Sequence, residues 1–168
     1  MFFSMFPSMQ IEIDGQFINY PDIFRRVGKN KYLENQLYLD RYTITDGEKP
    51  EHIAHRLYGN PQYHWIILLT NNIIDVYHDW PLSTHDLISA TNDEYGAASI
   101  DNIHHYEFVG EDNIQVDYDE ALFNAGTIRS VSNYDYNVRK NDAKSEISLL
   151  KPEYVIQFVG QFKQLIKK

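Results

Sequence analysis

Cysteine is absent from this 168-residue chain, and that absence removes a disulfide framework, thiol catalysis and thiolate metal sites together. It is also compatible with folding in a reducing cytoplasm. Basic residues are scarce: 15 Lys and Arg stand against 24 Asp and Glu, a formal net charge of −9. Contacts to phosphate need clustered Lys and Arg, and the adjacent basic pairs are Arg25-Arg26, Arg139-Lys140 and Lys167-Lys168, so no nucleic-acid partner is expected. Long apolar runs are missing too. None is long enough to span a bilayer, and Met1-Phe2-Phe3-Ser4-Met5-Phe6-Pro7 lacks the basic start, apolar length and cleavage site of a signal peptide. The expectation is a chain with no membrane partner.

Motifs for chemistry are equally sparse. His52 and His55 lie three apart on an expected helix and His104-His105 are adjacent, but no third ligand stands at motif distance and H-E-x-x-H is absent. Asp117, Asp119 and Glu120 lack the Gly and closing Glu of a calcium loop. Ser83, His85 and Asp86 read as helix-start chemistry, since no nucleophile elbow accompanies them. Without a phosphate loop or dinucleotide fingerprint, no catalytic residue, metal or cofactor is expected. Tyrosine is what the chain has in plenty, with 13 copies. A rigid apolar ring with a hydrogen-bonding tip suits contact surfaces, which favours an interaction protein.

The strongest local signals lie between Tyr42 and Pro81. Tyr42-Thr43-Ile44-Thr45 followed by Asp46-Gly47 reads as a short strand and turn. Pro50 suits a first helical position, Ile53, Ala54, Leu57 and Tyr58 share a face, and Gly59 supplies a left-handed stop. Asn60-Pro61 repeats the start signal ahead of Trp65-Ile66-Ile67-Leu68-Leu69, a run apolar all round and hence expected to be surrounded by protein. The expected core is Ile53, Leu57, Trp65, Leu68, Leu69 and Trp80.

Thr43-Ile44, Gly47-Glu48, Ile53-Ala54, Leu68-Leu69 and Asn71 resemble the LysM pattern, in which a strand leads through a Gly-acidic turn into two short helices ending at asparagine. More narrowly, Asp46-Gly47-Glu48, Pro50-Glu51, Leu57-Tyr58-Gly59, Trp65-Ile66, Asn71-Asn72-Ile73-Ile74-Asp75 and Asp79-Trp80-Pro81-Leu82-Ser83 resemble the LysM-like baseplate wedge proteins of contractile-tailed, T4-like bacteriophages. Asp22-Ile23-Phe24-Arg25-Arg26-Val27 also resembles that family's N-terminal segment. Asp79-Trp80-Pro81-Leu82 replaces the LysM ending that supplies the second strand and a wall of the glycan groove. Lys49 stands where Ser or Thr would cap the first helix, leaving that helix end to neighbouring protein or water.

The flanks are expected to be thinner. A hairpin should form around Asp14-Gly15, from Gln10-Ile11-Glu12-Ile13 to Gln16-Phe17-Ile18. Tyr32, Leu33, Leu37, Tyr38 and Leu39 should bridge that arm to the core. Ser83 should cap a helix that ends by Asn92, and Tyr95-Gly96-Ala97-Ala98-Ser99 reads as a flexible joint. Beyond it, Tyr106-Glu107-Phe108-Val109 should pair with Ile114 to Tyr118 across the turn at Gly110-Glu111-Asp112-Asn113, and Thr127 to Val138 with Glu146 to Leu150. A last helix after Pro152 should present Val155, Val159, Phe162 and Ile166, to be covered by the β section or by a partner.

The expected fold is therefore α+β: an N-terminal arm (1–41), a LysM-like β-α-α core (42–95) and a β-rich segment ending in a helix (96–168). The resemblance implies a structural component of the tail baseplate wedge, assembled in the host cytoplasm and present in several copies per virion in a sixfold baseplate. It would join wedge subunits, contact hub-proximal tail proteins and help close the ring around the hub. Side chains expected to meet partners are Phe24, Arg25, Arg26, Tyr77, Trp80, Phe158 and Phe162. The competing reading is a LysM-type peptidoglycan-binding module.

Overall fold

The computed structural model describes residues 2–25, 33, 35–110 and 114–167. In chain order its strands are β1 (Ser8–Ile13), β2 (Gln16–Pro21), β3 (Leu39–Thr43), β4 (Ile103–Phe108), β5 (Gln115–Val116), β6 (Ile128–Ser132) and β7 (Glu146–Leu150). Its α-helices are α1 (Pro50–Tyr58), α2 (His64–Thr70), α3 (Val76–Asp79), α4 (Thr84–Tyr95), α5 (Glu120–Asn124), α6 (Asn133–Asp142) and α7 (Val155–Leu165). The fold is α+β, and the chain divides into two compact units, each drawn from separated stretches.

The first unit comprises Met1–Ile44, Glu48–Asp79 and Glu146–Lys168. Its N-terminal hairpin pairs β1 with β2, Ile11 opposite Ile18, around Asp14 and Gly15. Both turn residues are left-handed, with φ of 51° and 75°, the geometry that matches strand twist in a two-residue connection. Next, α1 starts at Pro50 and stops at Gly59, whose φ of 70° lets its N–H turn back to the His55 carbonyl. Lys49 does not leave the start of α1 open: its backbone N–H donates to His52 Nδ1 at 3.3 Å. Asn60 caps the short 3-10 turn Pro61–Tyr63 that leads into α2.

The strand that completes this unit comes from far along the chain. β7 lies antiparallel to β3, with Tyr42 opposite Ile147, instead of pairing with the stretch Thr127 to Val138. The core gathers Met5, Leu33, Trp65, Ile66, Leu150, Val155, Phe158, Phe162 and Ile166. Trp65 stands 4.7 Å from the Phe162 ring and 5.7 Å from that of Phe158, so the chain's own indole covers the Phe158 and Phe162 side of α7. The buried face of α7 includes Phe158, and Val159 is only half-buried. Ile53, Trp65, Ile66 and Ile67 are buried, while Leu57, Leu68 and Leu69 are half-buried at the edge of the run.

The second unit comprises Thr45–Gly47 and Trp80–Ser145. Ser83 caps α4 by accepting from the Asp86 N–H, and Asp46 adds a carboxylate that accepts from the Thr84 N–H at 2.7 Å. α4 runs to Tyr95, past the expected end at Asn92, because nothing interrupts it before Gly96 at φ 84°. The expected joint holds a 3-10 turn, Ala97–Ser99. A three-stranded sheet of order β5-β4-β6 follows, β4 pairing with β5 as the expected hairpin does; its turn residues 111–113 lie outside the described residues.

The stretch expected to be all strand turns helical at Ser132. That hydroxyl accepts from the Asp135 N–H at 3.0 Å and donates to the Asp135 carboxylate at 2.8 Å, an N-cap that launches α6. What α6 buries is amide and not hydrocarbon. Asn133, Asn137 and Asn141 recur every four residues and donate to the Ser99 carbonyl, to Thr91 and Glu94, and to the Leu82 carbonyl. A stripe of satisfied amides avoids the cost of burying polar groups and so holds a helix that lacks an apolar face.

Candidate interaction surface

Several of the residues that sequence chemistry singles out are occupied in holding the fold. His52 accepts from the Lys49 backbone, and the His104 and His105 Nδ1 atoms face each other at 2.8 Å beneath the Tyr136 ring. Asp119 caps α5 by accepting from the Leu122 N–H. Among the described residues no group of three or more His, Cys, Asp or Glu is placed to hold a metal ion. An open depression of about 420 Å³ lies over the ends of β3 and β7, lined by Arg41, Tyr42, Thr43, Glu146, Ile147 and Ser148. Its walls are two strands and largely polar, unlike the apolar cleft usual for a small molecule.

Two motif residues act as ties within the first unit. The buried Glu48 carboxylate accepts from the Tyr42 hydroxyl at 2.6 Å and pairs with Arg56 Nη1 at 2.7 Å, joining β3 to α1. Burial first, and then the Glu48 hydrogen bond, raise the Tyr42 phenol above its ordinary pKa. Asn71 ties α2 to β7. Its amide donates to the Ser148 carbonyl at 2.8 Å while its oxygen accepts from the Ser148 N–H at 2.8 Å. A residue of an antiparallel strand points both backbone groups to one side, so Asn71 occupies the free edge of β7 opposite β3.

Beyond Asn71 the chain is braced but uncovered. Asn72 takes a left-handed φ of 57° and the Ile73 N–H returns to the Leu68 carbonyl. Asp79 accepts from the backbone N–H groups of Ile74 and Asp75, and Asp75 accepts from that of Tyr77. His78 Nδ1 sits 2.6 Å from the other Asp75 oxygen, and this contact above all holds the Asp75 carboxyl below its ordinary pKa. On this turn Ile74 is 83% exposed and Tyr77 89% exposed. Water-facing aromatic and aliphatic groups on a backbone fixed by its own carboxylates are ordered in advance, which lowers the entropy cost of docking.

The other expected contact residues separate into three groups. Phe24 is 77% exposed. Arg25 is half-engaged at home, its guanidinium on Asp22 at 3.1 Å and on the Ile166 carbonyl at 3.4 Å; Arg26 lies outside the described residues. Trp80, Phe158 and Phe162 are buried, so the expectation that they face a partner is corrected: their rings fill the interior of the folded chain. Ile74 was missed. The cue was present, since Ile73-Ile74 precedes Asp75, whose capping carboxylate stops the apolar run from folding back as a helix.

Tied strands and helices that display a stiffened apolar turn are what a structural protein of an assembly would carry. In agreement, the family model described as "Base plate wedge protein 53" matches residues 1–116. The "Baseplate wedge protein gp53" of Enterobacteria phage T4 is 26% identical over 168 residues, covering 90% of this chain and 83% of that protein. The chain belongs to the base plate wedge protein 53 family and is a structural component of the virion's tail baseplate. Of the two functions left open by sequence, membership decides for the wedge over the peptidoglycan-binding module.

Proposed function

We propose that the chain is a non-catalytic joint between wedge subunits, which helps close the sixfold baseplate around the hub and engages neighbouring wedge and hub-proximal proteins. It is assembled in the host cytoplasm, in several copies per virion. Its fixed part is a LysM-like unit of β3, α1 and α2 in which β7, delivered from the far end of the chain, supplies the strand that the Asp79-Trp80-Pro81-Leu82 ending lacks. Asn71 covers the edge of that strand. The single observation that carries the joint is the exposed pair Ile74 and Tyr77 on its carboxylate-braced turn, flanked at a distance in sequence by Phe24.

Complementing a phage that lacks this gene with an Ile74→Ser/Tyr77→Ser variant tests the reading. Both side chains are in water already, so the free variant should melt with the wild type. Its incorporation into purified tails should drop about tenfold or more, as expected for loss of interface anchors. Normal incorporation would remove the turn from the joint.

A further inference from the structure

The β1–β2 hairpin has two unlike faces. Residues directly opposite in an antiparallel pair share a face, so the pairs Met9↔Tyr20, Ile11↔Ile18 and Ile13↔Gln16 form one side. The reverse side carries Gln10↔Asn19 and Glu12↔Phe17. The first face is apolar except for Gln16 beside the turn, and its Ile11, Ile13, Ile18 and Tyr20 are exposed to between 37% and 46%. Both legs are rooted: Met5 sits in the core, the Asp22 N–H donates to the Pro7 carbonyl at 2.7 Å, and Arg25 reaches the Ile166 carbonyl. A two-stranded ribbon with a bare apolar face is marginal by itself in water.

Charge says what kind of surface covers it. From Ser8 to Pro21 there is no Lys or Arg, while Glu12 lies on the reverse face opposite Phe17 and Asp14 at the tip. A second copy of this chain, at a net charge of −9, is a poor match for an acidic ribbon. We propose that the apolar face of the β1–β2 hairpin docks on an apolar patch edged by Lys and Arg on a different baseplate subunit. The proposal rests on the wedge reading and adds a second point of attachment to the Tyr77 turn. A six-residue, two-stranded face covers only about 20 Å by 10 Å, well short of the ~800 Å² per partner of a stable interface. The hairpin therefore contributes one part of a larger contact, with the exposed Ile23 and Phe24 next along the chain.

Two double variants separate the faces. Ile11→Thr/Ile18→Thr keeps strand-forming residues while making the apolar face polar; Gln10→Ala/Asn19→Ala alters the reverse face. Incorporation into purified tails should fall about tenfold for the first and stay at wild-type level for the second. Equal incorporation of both overturns the proposal, as does an equal loss. Independently, a benzophenone amino acid at position 11 of the otherwise wild-type chain should cross-link in intact tails to another subunit, at a peptide containing apolar residues beside Lys or Arg. An adduct to a second copy of this chain, or none in tails that contain it, overturns the docking while leaving the wedge reading intact. Absence of the wild-type chain from purified tails overturns the wedge reading, and the docking with it.

Discussion

Replacing Asn71 with alanine strips β7 of its edge partner, and the cost can be worked from the geometry. The variant deletes the bond to the Ile67 carbonyl at 2.9 Å and both bonds to Ser148, leaving two backbone groups of β7 without their protein partner. A net hydrogen bond is worth about 1 kcal/mol, and a buried group left unpaired costs about 1–3 kcal/mol. Asn71 is half-buried, so water recovers part of this, and a loss of about 2–3 kcal/mol is expected. Asn71→Asp should be no milder: it keeps an acceptor for the Ser148 N–H but sets a carboxylate against two carbonyl oxygens. The chain has two tryptophans, Trp65 in the first unit and Trp80 in the second, so in a Trp80→Phe background Trp65 fluorescence follows the first unit alone. With a slope of ~2 kcal/mol per molar urea, the unfolding midpoint should fall by roughly 1 M for either variant. A shift below about 0.2 M for alanine, or wild-type behaviour for aspartate, would refute the edge-pairing argument.

Other perturbations report on separate parts of the molecule. Trp65→Ala empties the space beside Phe158 and Phe162 and should cost about 3–5 kcal/mol in urea unfolding followed by circular dichroism; a loss under ~1 kcal/mol would place the core elsewhere. Glu107 is fully buried in β4, with Arg129 of β6 on one carboxylate oxygen at 2.7 Å and Arg139 of α6 on the other at 2.7 Å. Glu107→Gln removes the charge both guanidinium groups share; each is partly exposed and regains some water, so about 2–3 kcal/mol should be lost, and a neutral result would contradict the tie. Burial first, and then the charge of His105, lower the His104 pKa from 6.5, with Lys140 adding and Glu94 opposing. The folded state thus favours the neutral ring: its contribution is complete above pH 6.5 and is lost as the pH falls from there through the lowered folded value. His104→Gln should flatten that acid-side decline in urea midpoint, whereas parallel pH curves would remove His104 as its source.

Local punctuation made the two-helix region legible. Pro50, Gly59, Asn60-Pro61, Ser83 and Asp14-Gly15 each act through their own backbone geometry, and each marks a boundary in the structure close to its expected place. Pairing across the chain was not legible: a strand states that it needs a neighbour and not which one, so β7 could be assigned to Thr127–Val138 when its partner is β3. Helix α6 escaped for another reason. Its buried stripe is asparagine, which carries the helical period in hydrogen-bonding capacity and leaves no trace in hydrophobicity. Contact residues were read from residue type, and type does not reveal burial: Tyr77 and Phe24 face water, whereas Trp80, Phe158 and Phe162 fill the interior.

Hydroxyl-radical footprinting of Tyr77 compares the free chain with the same chain in intact tails and tests the joint most directly. A ring 89% exposed should oxidise rapidly in the free protein and at least about tenfold more slowly once a neighbouring subunit covers it, while buried Trp65 reacts slowly in both. Equal oxidation of Tyr77 in the two states would contradict the account.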